Sequence, residues 1–193
     1  MSRFDTTRRE ALKNAIAAPV AFATAAAQVV PGTATAAPPG AAASHSAKHK
    51  AGSTMRSYQV GDQKGLDSLQ FGERPVPEPG PGEVRIAVKA SALNHRDLMV
   101  MAGRYGGPKP PTRVPVADGA GEVVALGAGV TRVKVGDRVT APHFTPWIDG
   151  DYDPGVFVGD VGNSIDGWLQ DQIVLPATAL VKLPAKVSYE GAA

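Results

Sequence analysis

The sequence predicts a mainly β domain with one or two short helices, closed or partly closed into a barrel. Short β-rich runs recur through residues 55–193, and Gly and Pro punctuate them. One run, Glu83-Val84-Arg85-Ile86-Ala87-Val88-Lys89, alternates polar and apolar residues at the period of a half-buried strand. Helical spacing is sparse. The best candidate is Asn94 to Ala102, with Leu98, Met101 and Ala102 at i, i+3 and i+4. Many short strands with little helix is the pattern of small antiparallel barrels.

The elements follow in order. Residues 1–36 read as a targeting segment. Thr7-Arg8-Arg9-Glu10-Ala11-Leu12-Lys13 resembles a twin-arginine export motif, an Ala-rich apolar run follows from Ala15 to Val30, and Ala34-Thr35-Ala36 offers a small-x-small cleavage pattern. That run is too short and Ala-dominated for a stable membrane span. The expectation is a periplasmic or secreted protein. The alternative is an Ala-rich tail ahead of a true start at Met55, and a cytoplasmic protein. Residues 37–54 are Ala, Gly, Ser, Pro, His and Lys without apolar period, a linker. Met55 to Val60 reads as the first strand of a domain covering 55–193. Further strands are expected at Gly121 to Leu126, Arg138 to Ala141 and Gln172 to Leu175. Ser188 is placed as a helix N-cap with Glu190 in the first turn. The chain ends before such a helix can propagate, so the sequence looks cut off.

Composition narrows the function. The excess of basic residues sits in 1–36, and residues 37–193 hold 16 basic against 16 acidic side chains. No basic face for nucleic acid is expected. With no cysteine, disulfides, thiolate catalysis and Cys-ligated zinc are excluded.

Four motifs carry a resemblance, in order and spacing: Pro79-Gly80-Pro81-Gly82-Glu83-Val84, then Lys89-Ala90-Ser91-Ala92-Leu93-Asn94-His95-Arg96-Asp97, then Val114-Pro115-Val116-Ala117-Asp118-Gly119-Ala120-Gly121-Glu122-Val123, and Val135-Gly136-Asp137-Arg138-Val139. Together they resemble the N-terminal catalytic domain of medium-chain dehydrogenase/reductases, the alcohol dehydrogenase and quinone oxidoreductase superfamily. The resemblance covers Met55 to Ala193 and implies a GroES-like barrel. Zinc members carry Cys at the Asn94 position and His-Glu at Ala117-Asp118. Zinc needs N, S or carboxylate donors, and Ala117 has none. The chain therefore resembles the zinc-independent branch, with no metal expected.

The resemblance also implies roles. Asn94 lies at the bottom of the active-site cleft, where its amide orients the nicotinamide carboxamide or a substrate carbonyl; an Asn there is equally an ordinary helix N-cap. His95 matches a basic position that contacts the cofactor pyrophosphate, or is a solvated surface His. Arg96 replaces a proton-relaying Ser/Thr. Asp97 matches a position that orients a metal ligand in zinc members, and here is expected to make a structural pair. Tyr105, eleven residues after Asn94, is a candidate pocket-lining proton donor; the alternative is a half-buried aromatic before a loop.

Several lookalikes fall away. Gly119-Ala120-Gly121 and Gly127-Ala128-Gly129 lack the third glycine of a dinucleotide fingerprint. His95-Arg96-Asp97-Leu98 imitates a kinase loop, but Ala102 stands where Asn is required. Asp149-x-Asp151-x-Asp153 imitates a calcium loop, but Pro154 occupies the turn position that needs Gly. The acidic, Gly-rich run from Thr145 to Gly167 occupies the place of the zinc members' structural lobe, and its Trp147 and Trp168 are candidates to cover the cleft or support an oligomer contact.

The reading is the substrate-side catalytic domain of a zinc-independent, NAD- or NADP-dependent oxidoreductase acting on an alcohol, quinone or activated alkene. Its partner is a small-molecule substrate, with a homo-oligomer possible through the cofactor-binding half. Without that Rossmann half the chain alone is expected to be inactive. The alternative is an exported, non-enzymatic GroES-like binding module or a decayed enzyme fragment.

Overall fold

The computed structural model describes residues 53–193. The targeting segment and almost all of the linker lie outside the described residues. Strand β1 (Thr54–Gln59) opens the domain and pairs antiparallel with β2 (Gln70–Pro75), Tyr58 opposite Phe71. The remaining strands form one antiparallel sheet in the order β6-β3-β4-β5-β7. They are β3 (Glu83–Ala92), β4 (Asp118–Leu126), β5 (Arg138–Thr140), β6 (Gln172–Pro176) and β7 (Val181–Lys182). Among the described residues a single α-helix, α1 (His95–Met101), follows β3.

The expected mainly β, GroES-like domain is observed, and the order of strands explains why it curls. The edge strands β6 and β7 are consecutive in the chain, joined by a 3-10 turn at Ala177–Ala179. A flat five-stranded sheet would hold its edges about 19 Å apart. The connection, with a turn rising ~2 Å per residue, spans no more than about 15 Å. The sheet must curve, and two irregularities in the β3–β4 ladder bend it, with Val124 the extra residue on β4 and Lys89 the extra residue on β3. The ladder does not close by hydrogen bonds between β6 and β7. Strand β1 instead covers the sheet beside β6, through a bridge from Ser57 to Gln170 and a 3.0 Å bond from Tyr58 N to Leu169 O.

Alternation in the strands fills the barrel. Val84, Ile86, Val123, Val139, Ile173 and Leu175 form the main core with the fully buried Trp168. Burying such a side chain contributes roughly 1.5–3 kcal/mol. The indole lies flat against Gly119, where a Cβ would come within 2.4 Å of it. Trp168 is therefore a core residue. Trp147 stays partly exposed, edge-on to Tyr152 at 5.7 Å between ring centroids.

Two local expectations are met in part. Of the apolar positions at helical spacing, Met101 is buried and packs with Val100 on Val60, Leu69 and Tyr105, while Leu98 is exposed. At the end of the chain Ser188 Oγ accepts from Gly191 N at 3.0 Å, as an N-cap would. Only a hydrogen-bonded turn follows.

Candidate functional site

The site is built where β3 ends and α1 begins. Asn94 has extended backbone, φ −113° and ψ 150°, and caps the helix. Its Oδ1 accepts from Arg96 N at 3.1 Å, and its own N–H donates to Asp97 Oδ2 at 2.8 Å. This capping box holds a helix of two turns that would not persist alone. Gly103, at φ 65°, ends the helix by adopting the left-handed conformation.

The Asn94 amide is further engaged across the strands. Its Nδ2 donates to Asp118 Oδ2 at 3.2 Å, which leaves one N–H and one lone pair for a ligand. Asn94 is exposed, as is His95. Both line a mostly apolar cavity of about 590 Å³, together with Leu93, Leu98, Asp97 and Val116. Leu93 is 80% exposed, an apolar side chain standing in solvent at the mouth. The structure thus brings Asn94 and His95 together in one cavity.

Tyr105 is placed elsewhere. Its half-buried ring packs against the Val60, Val100 and Met101 cluster and is not among the cavity-lining residues. Arg96 lies over it, guanidinium carbon 5.2 Å from the ring centroid. That guanidinium is nearly enclosed. It pairs with Asp160, which is 0% exposed, and donates to Val161 O. Burial pushes the Arg96 guanidinium down, but Asp160 and Tyr105 outweigh it and hold it above its ordinary value. Asp160 also accepts from Asn163 Nδ2 at 2.9 Å. Asp160, the twelfth residue of the calcium-loop lookalike counted from Asp149, is therefore the counter-ion of Arg96. Asp153 of the same run accepts from Gly155 N at 2.8 Å and caps a 3-10 helix, Pro154–Gly159. Among the described residues no group of three or more His, Cys, Asp or Glu is placed to hold a metal.

Asp97 is the residue whose importance the sequence understates. It is 1% exposed and lines the cavity, and its Oδ1 has no hydrogen-bond partner. Burial raises its carboxyl above the ordinary carboxylate value. The Asn94 N–H and the Arg96 guanidinium pull it back, while Asp118 pushes it up. The sequence leads us to expect a structural pair, and Asp97 Oδ2 accepts the Asn94 N–H. Its place in the cavity wall was not legible, because that depends on Val116 and Leu169 coming in from distant loops.

A zinc ion does not fit here. Asn94 spends its oxygen on the helix and one N–H on Asp118, and Ala117 brings no donor. A nicotinamide does fit the chemistry of the wall: flat apolar surface, a free amide N–H and an exposed imidazole.

Comparison with known proteins agrees with this architecture. The family description "alcohol dehydrogenase GroES-like domain" matches residues 80–185. A zinc-type alcohol dehydrogenase-like protein of Schizosaccharomyces pombe is 38% identical over 135 residues, 69% of this chain and 39% of the relative. The synaptic vesicle membrane protein VAT-1 homolog of Rattus norvegicus is 32% identical over 131 residues, 67% of this chain and 27% of the relative. A quinone oxidoreductase structure from Pseudomonas syringae pv. Tomato DC3000 superposes with a TM-score of 0.57 at 33% identity, covering 72% of this chain and 36% of that one. An NAD-dependent alcohol dehydrogenase structure gives 0.60 at 33% identity, covering 70% and 41%. The chain spans less than half the length of these relatives. With its curled sheet, its capped helix after β3 and the family match across them, the chain belongs to the alcohol dehydrogenase GroES-like domain family, the N-terminal domain of the medium-chain dehydrogenase/reductases.

Proposed function

We propose that this domain is the substrate side of an NAD- or NADP-dependent oxidoreductase that works without zinc on an alcohol, quinone or activated alkene. The observation that carries the reading is the shared cavity: Asn94 and His95 open into one apolar pocket, with an engaged amide at one family metal position and, next in the chain to the pocket's Val116, an alanine at the other. When bound, the nicotinamide would supply or accept the hydride. The chain's own residues bind and orient. Asn94 Nδ2 presents its remaining N–H to a carboxamide or carbonyl oxygen. His95, on the first turn of α1, offers a donor to a phosphate oxygen. Leu93 and Leu98 exclude water from the pocket wall. A homo-oligomer through the cofactor-binding half belongs to the same proposal.

The test uses the chain completed with a nucleotide-binding domain and assayed with quinones and enones. Turnover with saturable nicotinamide cofactor is expected. Asn94→Ala should raise KM about 2- to 12-fold, the worth of one hydrogen bond of ~0.5–1.5 kcal/mol. Tyr105→Phe removes only a hydroxyl. A loss of about 10²- to 10⁴-fold would mark a proton donor, and a small loss a ring that packs. Absence of any turnover, with unaltered folding, would favour a non-enzymatic binding module.

A further inference from the structure

We propose that the substrate of this site carries a carboxylate, and that the carboxylate lies beyond Tyr58 in a second pocket, held by the ammonium of Lys89. The inference rests on the oxidoreductase reading above and names the substrate class for it: a quinone or enone with a short acidic side arm.

The second pocket, of about 450 Å³, adjoins the Asn94 cavity. Tyr58 and Leu169 line both, and Tyr58 N donates to Leu169 O at 3.0 Å. Tyr58 is 39% exposed and Leu169 is half-buried, so the boundary between the two pockets reaches the surface. A ligand seated beside Asn94 can lie across that boundary without displacing the core. On the far side Phe71 packs on Tyr58, ring centroids 5.1 Å apart, and gives the arm an apolar start.

A strand irregularity brings Lys89 to this pocket. In a regular strand, consecutive side chains face opposite sides. Val88, Lys89, Ala90 and Ser91 nevertheless all line this one pocket. Lys89 is the extra residue of β3 in its ladder with β4, between Val88 opposite Gly121 and Ala90 opposite Ala120. Such an insertion bends the strand and re-aims a side chain, and it recurs beside active sites. On the other side of β3, pairing with β6 ends at Ala87 opposite Gln172, and one further bond runs from Val88 N to Asp171 O at 2.9 Å. The stretch from Lys89 to Ser91 is thereby left open to a ligand.

The charges select the ligand. Arg56, Lys89 and Asp171 line the pocket, two cations against one carboxylate, a balance of one positive charge. Arg56 and Asp171 answer each other: the guanidinium donates to both carboxylate oxygens, at 3.1 and 3.0 Å. Lys89 is exposed and joins none of the salt bridges among the described residues. Ser91 Oγ and Gln170 Nε2 each donate to the backbone, to Trp168 O and Gly167 O. The ammonium of Lys89 is then the charged donor open to a ligand, and its single charge matches a carboxylate. No Lys or Arg lines the Asn94 cavity, so the carbonyl end belongs there and the acidic end beyond Tyr58.

The experiment has two arms. In the first, the unaltered 193-residue chain is labelled with ¹⁵N, assigned, and titrated with a 1,4-naphthoquinone bearing a short n-alkyl carboxylic acid at C2, and separately with its methyl ester. The chain has no thiol for the quinone to add to. The acid should shift the amides of Asn94 and His95 and, in the same titration, those of Lys89, Ser91 and Gln170. The ester should bind about 2- to 5-fold more weakly, the worth of one exposed ion pair. Lys89→Glu, a change at an exposed position, should reverse the order of the two. Acid-induced shifts confined to Asn94 and His95, no shifts at all, equal affinity for acid and ester, or an unchanged order in Lys89→Glu overturns the proposal. In the second arm the completed oxidoreductase is assayed with both compounds. The acid should have the higher kcat/KM, and Lys89→Glu should favour the ester. Turnover without preference would sink the carboxylate subsite alone, whereas no turnover of any quinone or enone would sink the oxidoreductase reading beneath it.

Discussion

At Val116 the backbone takes φ 78°, a region β-branched residues rarely enter. Such strain costs about 1–3 kcal/mol, and complete burial of the side chain, worth roughly 1.5–3 kcal/mol, offsets it. Gly162 and Gly167 hold the strained peptide from outside; a Cβ on Gly167 would come within 2.2 Å of Val116 O. Val116 is part of the wall of the cavity that Asn94 also lines, and no pattern around Val114-Pro115-Val116 announced its conformation. Asn94 was legible as a cap because a single Asn stands between the strand and helix patterns. Tyr105 was legible as a half-buried aromatic before a loop, but its direction was not, since Arg96 lies over it and Arg96 is set by Asp160, 64 residues away. Asp97 carries a prediction here. Its folded carboxyl titrates above its unfolded value, so between the two the native state binds more protons than the unfolded one. Its contribution to stability is therefore lost as pH rises through the folded value. Denaturant melts of the wild type across weakly acidic pH should show this decline, and Asp97→Asn should flatten it. Identical pH dependence in the two proteins would contradict the assigned direction.

The elements divide by how much local information they carry. β3, β4, β5 and β6 were readable because each has apolar residues at the period of its pleat, bounded by Gly or Pro. β2 was missed, since Gln70–Pro75 alternates weakly and leaves most of its side chains in solvent beside β1. β7 is two residues and exists only because β5 offers a partner, Thr140 opposite Val181. α1 was found from its apolar spacing; of the positions that carried it Met101 is buried and Leu98 exposed, and Val100 joins Met101 on the Val60 cluster. The helix is tied to the 145–167 run by the Arg96–Asp160 pair, buried on both sides. Removing one partner of such a pair costs about 3–5 kcal/mol because the other charge is left unpaired. Asp160→Asn should lose a figure near the lower end of that range in urea melts, as the amide oxygen still accepts from Arg96. A loss below about 1 kcal/mol would mean that the pair is not what anchors the helix.

For the whole molecule, the family match over residues 80–185 and the curled sheet establish what kind of domain this is, and its relatives include proteins named as zinc-type. The proposed metal-free reading rests on two positions of this chain, where an amide already engaged by Asp118 and an alanine stand. The most direct test is elemental analysis of the purified protein after dialysis. The Asn94 amide is committed to Arg96 N and Asp118, and Ala117 has no donor to give. Zinc should therefore be found far below one ion per chain, and adding zinc followed by a second dialysis should not raise it. One tightly held zinc per chain would contradict the account.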